Sequence, residues 1–355
     1  MTAGGWSVEL RPAISQKALM LKSALRAHSG AQTAAPPSIV TLALSGGVEA
    51  GGRQDASLPD SRLSQSDWVR LVRETPAGAR VKVGGLDAIT SPHFEAVLFE
   101  ADRRSLDLEV VTAGIGLEDA APIAFGLGAS TLRVVLFGPE ATHNRLAGSP
   151  RAFETAARGV LALRGLRCAA ARPAIVADVT IAEENRAGIA ETVECALSMG
   201  ADKVVVRHAP PSAVSCPAVS KDSAGSDSQS DEAHAGEDAA STLMKQLAAV
   251  RKRTLQGSLK ILPELTEEEM RRFYGGEAAS MGPKRCLAPW LTVRVGPDGT
   301  AAFCTGQSLG SVRDAAIEDV FNCEKARALR RALRHALAPG CCCCAGRFTG
   351  GETLL

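Results

Sequence analysis

From residue 38 to residue 265 the chain repeats one pattern: a short run rich in Val, Ile and Leu, then a segment with apolar residues every three or four positions. "SIVTLALS" (38–45) reads as a strand and "SQSDWVRLVRE" (64–74) as a helix opened by a Ser cap. Strand and helix then alternate: 79–85 and 92–104, 106–114 and 116–128, 130–138 and 149–165, 172–182 and 185–200, 202–209 and 239–253. A last short strand, "LKILPEL", covers 259–265. Six strand–helix units in series predict an α/β fold with a parallel sheet covered by helices. A full or partial barrel fits this number of units better than an open sheet, and either architecture puts the active face at the C-terminal ends of the strands.

Flanking segments divide the chain further. Residues 1–36 form an N-terminal extension with one amphipathic helix candidate, "AISQKALMLKSALRAH", read as a cap on the bottom of a barrel spanning 37–270. The 210–238 stretch is rich in Ser, Asp, Gly and Ala with almost nothing to bury, and is expected to be a disordered insertion. Its Cys216 and His234 are read as incidental. A Gly-rich passage, "YGGEAASMGPKRC", then separates the barrel from a cysteine-rich region, 280–348.

Composition excludes several classes of partner. Lys and Arg number 40 against 39 Asp and Glu, leaving a net charge of +1, so no nucleic-acid or anionic-membrane surface is expected. Apolar runs stay short of the roughly 18 residues needed to cross a bilayer. The first thirty residues show no continuous apolar stretch of the secretory type, so the expectation is a cytoplasmic protein with reduced thiols. Ten cysteines in that setting, five of them in the last 33 residues, point to metal before disulfides.

"CLAPWLTVRVGPDGTAAFC" predicts a hairpin about the "GPDG" turn with Cys286 and Cys304 at its outer ends. A helical stretch, 310–337, leads from there to four consecutive cysteines, 341–344. Cys341 and Cys344 have the C-x-x-C spacing that turns two thiolates toward one ion or cluster, whereas adjacent cysteines diverge along the backbone. The simplest ligand set is Cys286, Cys304, Cys341 and Cys344, holding either zinc or an iron–sulfur cluster. Two single cysteines before one pair suit the cluster better than the paired knuckles of structural zinc. Cys168, Cys195 and Cys323 read as small core residues, and Cys342 and Cys343 as spare ligands or oxidation-prone neighbours.

Taken together, "C-x-x-PW … DG … C … VFNCEKARALRRALR … C-x-x-C" resembles the SPASM or twitch extension of radical SAM enzymes. The segments "LSQSDWVRLVRE", "VGGLDAITSPHF", "EVVTAG", "LRVVLFGPEATHNRLAGSPRAFETAARGVLAL" and "MGADKVVVRH" resemble that family's body in order and spacing, over roughly residues 37–348. The resemblance implies a partial (β/α)6 TIM-like barrel with a small C-terminal SPASM/twitch-like domain holding an auxiliary [4Fe-4S] cluster. It also implies a catalytic C-x-x-x-C-x-x-C motif after the first strand, where this chain has Gly47, Gly51 and Gln54. The family's Gly-Gly-Glu stands here as Gly84-Gly85-Leu86, its Thr-Asn-Gly as Thr112-Ala113-Gly114, and its Ser-x-Asp-Gly as Val135-Leu136-Phe137-Gly138. Ligating and polar groups are replaced mainly by Gly, Ala, Leu, Val and Phe, which could not balance the charges of S-adenosylmethionine (SAM) without burying unpaired groups.

The leading expectation is therefore a degenerate member that keeps the tail cluster, lacks ordinary SAM cleavage, and serves as partner or scaffold in peptide or small-metabolite modification. Its partner would be a peptide substrate or a catalytically competent radical SAM relative. One alternative is a redox enzyme of altered chemistry, with Asp87, Thr112, His143 and His208 near the strand ends as polar candidates. The blander roles for these are turn or cap residues for the first two and solvated loop residues for the histidines. The other alternative is a zinc-stabilised interaction protein. No catalytic residue is assigned, because no Ser–His–Asp or paired-carboxylate spacing stands out.

Overall fold

The computed structural model describes residues 10–45, 47–48, 54–55, 62–85, 88–167, 172–208, 229–255, 257–274, 286–303 and 308–333. Helix α1 (Leu10–Ser29) precedes strand β1 (Ile39–Ala43). A short antiparallel ladder follows, β2 (Gly47–Val48) against β3 (Gln54–Asp55). Ser64 then caps α2 (Gln65–Glu74): its hydroxyl accepts from the Asp67 amide while the Asp67 carboxylate accepts from the Ser64 amide. That reciprocal capping box satisfies two amides the first turn would otherwise leave open.

The expected alternation continues through β4 (Arg80–Gly84), α3 (Phe94–Arg103), β5 (Asp107–Thr112), α4 (Leu117–Gly126) and β6 (Thr131–Leu136). Helix α5 (Glu140–Leu146) was not expected from the sequence; it precedes α6 (Ala152–Arg167) and β7 (Ala174–Ile181). The helix expected at 185–200 opens as a 3-10 turn over Glu183–Gly188 before α7 (Ile189–Met199), which stops at Gly200 in the left-handed conformation, φ +107°. Beyond β8 (Lys203–His208) lies α8 (Gln229–Arg253), which starts inside the segment expected to be a disordered insertion. The remainder of that insertion, with Cys216, lies outside the described residues. β9 (Leu259–Leu262) and α9 (Glu267–Tyr274) complete the repeat.

The tail supplies α10 (Ala288–Leu291), β10 (Thr292–Val295), β11 (Thr300–Ala302), β12 (Ser308–Ser311), α11 (Ile317–Phe321) and α12 (Glu324–Leu333). The expected hairpin is present, with Arg294 opposite Ala302. Asp298 Oδ1 accepts from the Thr300 amide at 2.9 Å, and Gly299 takes φ +87°, which is why the turn reads Asp-Gly. The single helix expected over 310–337 is instead a strand and two helices, divided at Asn322–Cys323.

One ten-stranded sheet carries the fold, in the order β12-β11-β10-β1-β4-β5-β6-β7-β8-β9. Neighbours from β10 through β1 to β9 run parallel, in registers such as Val83 to Val110 and Val134 to Ala177. β12 and β9 lie at opposite ends of the order, so the sheet is open and the full-barrel alternative does not hold. The tail continues the sheet, because β10 pairs in parallel with β1 from Ile39–Thr292 to Leu42–Val295.

Side chains alternate across the sheet. On one face Val81, Val83, Leu108, Val110, Leu132, Val134, Ile175 and Val204 meet Trp68, Leu98, Leu117, Leu163 and Ile189 from the helices in one apolar core. Each fully buried Val or Leu there contributes about 1.5–3 kcal/mol relative to exposure. Among the described residues, no helix is long and apolar enough to cross a membrane.

Candidate functional site

The other face of the same strands is charged, an exception to the continuous apolar runs usual in parallel sheets. Arg80 pairs with Asp107 at 2.7 Å, and Lys82 reaches Glu109 at 3.6 Å. Arg133 bridges Glu109 at 2.7 Å and Asp178 at 3.1 Å, and Arg207 closes on Asp178 at 2.9 Å. Burial alone would raise the Glu109 carboxyl, yet Lys82, Arg133 and Arg80 outweigh it and hold its pKa at about 2. Burial pushes the Lys82 ammonium down to about 8 against the pull of Glu109. The pairing stitches β4 to β8 side by side and leaves each carboxylate engaged by cations, so these groups are braces rather than free acids or bases. Nη1 of Arg207 has no hydrogen-bond partner among the described residues.

The described polar candidates at the strand ends, Thr112, His143 and His208, each have partners of their own. Thr112 plays the turn role expected of it: its Oγ1 accepts from the Gly114 amide at 2.9 Å. Asp87 and Leu86 lie outside the described residues. Both histidines correct the expectation of solvated loops, because each is fully buried. His143, on α5, stacks on Phe137 with centroids 5.4 Å apart, and its Nδ1 accepts from the Phe137 amide at 3.2 Å. α5 brings it against the apolar patch of Val135, Phe137, Ala147 and Ala152, and burial drives its pKa down to about 4 against the opposing pull of the Ala113 carbonyl. His208 lies on the helix-covered face, with Nδ1 2.8 Å from the Tyr274 hydroxyl, and burial followed by the Arg251 charge likewise lowers it to about 4. Nε2 of both rings lacks a hydrogen-bond partner among the described residues.

At the end of β1, Gly47 and Gln54 are strand residues of the small ladder, where Gly47 pairs with Asp55 and Val48 with Gln54. Gly51 lies outside the described residues. At the end of β4, Gly85 approaches Ser45 so closely that a Cβ would sit 2.4 Å from its hydroxyl. The backbone at Gly85 is therefore packed tight against Ser45.

In the tail, the described part of the expected ligand set is Cys286, which is half-buried. Cys304, Cys341, Cys344, Cys342 and Cys343 lie outside the described residues, and among the described residues no cluster of three or more metal-ligating side chains occurs. The described residues beside the first two positions are joined by one side chain. Thr292 Oγ1 donates toward the Phe303 carbonyl at 3.1 Å and lies 3.4 Å from the Ala288 carbonyl. One hydroxyl thereby ties the residue before Cys304 to the turn that follows Cys286. Thiolates at those positions are the donors that iron–sulfur clusters and zinc both prefer. Cys323 is half-buried against the core, as expected of a packing residue; Cys195 is half-buried on α7, with burial raising its thiol pKa; Cys168 lies outside the described residues.

The tail is fastened to the repeat at several points. Trp290 Nε1 donates to the Ala31 carbonyl at 2.8 Å, and the Asn322 side chain accepts from the Ala34 amide at 2.9 Å. Arg70 on α2 donates to the Val312 carbonyl at 2.6 Å, and Glu74 accepts from the Ile317 amide at 3.0 Å. α1 packs on α10, with Ser23 Oγ 3.3 Å from Ser38 Oγ beside the start of β1.

Arg330 is the residue here that sequence reading missed. Its fully buried guanidinium donates to the carbonyls of Pro289 (2.8 Å), Gln32 (3.1 Å) and Phe321 (2.7 Å) and to Asn322 Oδ1 (3.0 Å). It also lies 4.9 Å and 4.8 Å from the ring centroids of Phe303 and Phe321. In sequence it is one of several arginines on a helix with a polar face, and nothing there distinguishes it.

Residues 286–345 match the model of SPASM, described as an iron–sulfur cluster-binding domain. The fold matches Streptococcus suis SuiB bound to precursor peptide SuiA, with TM-score 0.58 and 12% identity over 88% of this chain and 70% of that one. SuiB bound to S-adenosylmethionine matches at TM-score 0.56 and 13% identity, covering 88% and 71%. Native anSMEcpe with bound AdoMet and the Cp18Cys peptide matches at TM-score 0.52 and 13% identity, covering 89% and 88%. No curated protein sequence matches the chain.

Proposed function

We propose that this chain, a radical SAM/SPASM-type protein with an iron–sulfur cluster-binding domain over 286–345, is a degenerate member that binds one auxiliary [4Fe-4S] cluster and does not cleave SAM in the usual way. It acts as partner or scaffold in the modification of a peptide or small metabolite. The observation that carries this reading is the stretch after β1, where Gly47, Gly51 and Gln54 stand at the spacing of three ligating cysteines. Glycine and glutamine offer no thiolate, and a cluster at that position has no ligands from those three residues.

Cys286, Cys304, Cys341 and Cys344 would hold the tail cluster, which exchanges single electrons when bound. The tie through Thr292 supports a shared site for the first two. The engaged charges of Glu109 and Asp178 support a sheet face built for stability rather than acid–base chemistry. That proteins of this fold have been crystallised with a precursor peptide and with Cp18Cys supports a peptide as the partner.

Iron, acid-labile sulfide and zinc per chain, on protein reconstituted without oxygen, test the reading together with SAM turnover under dithionite. The expected result is about four irons with matching sulfide, lost in Cys286→Ser, and no methionine released from SAM. About eight irons, or SAM consumed, would restore a catalytic cluster and overturn the degenerate reading. Zinc without sulfide would leave an interaction module with a structural metal.

A further inference from the structure

Arg330 carries a formal charge in a place where charge is expensive. A guanidinium removed from water needs an opposite charge or a full set of acceptors, and removing a buried ion's counter-ion costs several kcal/mol. Arg330 has the acceptors: three backbone carbonyls and one side-chain amide, all neutral, and two aromatic faces. No carboxylate among the described residues pairs with it. Dipoles and rings orient the cation without neutralising it.

Its contacts point to where the balancing charge belongs. Nε binds the Pro289 carbonyl, three residues after Cys286, and the guanidinium packs on the ring of Phe303, the residue before Cys304. Both single cysteines of the expected ligand set thus adjoin segments held by the same side chain. A cluster ligated by four thiolates is an anion, and reduction adds one electron to it without making or breaking a protein bond.

We infer that Arg330 is the internal counter-cation of the tail cluster: it fixes the segments that carry Cys286 and Cys304 and stabilises the reduced cluster, raising its reduction potential. This rests on the cluster reading of the tail. Arg330 is a positioning residue that acts through the backbone and through its charge, and it is not a ligand.

Two substitutions separate charge from packing. Arg330→Met removes the charge and keeps much of the length. Asn322→Asp keeps the guanidinium and its stacking but sets a carboxylate in place of an amide that lies 3.0 Å from Nη1, neutralising the cation where it stands. The measurement is a dithionite titration with mediators on the reconstituted full-length protein, following the electron paramagnetic resonance signal of the reduced cluster, with iron counted on each sample. The expected result is a midpoint potential shifted downward in both variants, with iron content in Asn322→Asp equal to that of the unaltered protein. An unchanged potential in Asn322→Asp overturns the inference, and this variant decides alone where Arg330→Met takes up no iron. Unaltered protein that takes up no iron and sulfide would instead sink the cluster reading on which the inference stands.

Discussion

The inner face of the sheet and the core of the tail both bury charge, and they manage it in opposite ways. Across β4 to β8, Arg80, Lys82, Arg133 and Arg207 interleave with Asp107, Glu109 and Asp178, and each carboxylate is engaged by cations. In the tail, Arg330 has acceptors on every side and no anion among the described residues. In the first arrangement all three carboxylates are paired within the chain, against four cations. In the second, no carboxylate among the described residues pairs with the cation, and a thiolate-ligated cluster would bring negative charge to it. Charge alone does not mark a functional site; what matters is whether the protein has already neutralised it.

Acid should expose the contrast most strongly. Both buried imidazoles titrate near 6.5 in the unfolded chain and at about 4 in the folded one, so between those values the unfolded chain binds more protons and stability falls as pH is lowered. The two together should remove on the order of 5 kcal/mol between pH 6.5 and pH 4. Glu109, held at about 2, stays ionised through that window and loses its contribution only below the normal glutamate range. Thermal melts across this pH range should show the fall, and His143→Leu should halve its slope; an unaltered slope would shift the acid sensitivity to the carboxylates.

Removing one member of the ionic network should come next. Asp178→Asn leaves Arg133 and Arg207 facing a neutral amide and is expected to cost about 3–5 kcal/mol, read by denaturant unfolding. A cost below 1 kcal/mol would mean that the braces are solvated and the contrast with Arg330 is false. In the tail, Phe303→Leu withdraws one ring from the Arg330 guanidinium and should destabilise by about 2 kcal/mol. The smallest change is Tyr274→Phe, which removes the hydroxyl 2.8 Å from His208 Nδ1 for about 1 kcal/mol.

The repeat was legible because period and composition carry it. "ARVKVGG" and "LDLEVVTAG" fall on β4 and β5, and "SQSDWVRLVRE" on α2 with its Ser64 cap. The hairpin about Asp298–Gly299 was equally plain, since turn chemistry is local. What stayed hidden depends on distant partners. His143 reads as a loop residue because α5 is short and is held by the patch around Phe137 rather than by a strong periodic signal. The ionic braces left a trace, charged residues at alternate positions of otherwise apolar strands, but their pairing needs the register between β4 and β8. Arg330 left none, because Pro289 and Gln32 are remote in sequence from α12. Of the expected thiol ligands, Cys286 alone stands among the described residues, and the match of 286–345 to the SPASM model supports the cluster assignment independently.

The pairing of β10 with β1 also bears on how the chain is made. Ile39 emerges from the ribosome long before Thr292, its partner in the register, and on that side β1 has no other neighbour. Throughout synthesis of the repeat, one edge of the first strand stands with unpaired amides and carbonyls, a template for pairing with another nascent chain. Closing it joins segments about 250 residues apart, a high-separation contact that forms slowly. A strand made late is therefore also the lid on the first-made strand, and chains truncated before Thr292 should aggregate through that edge.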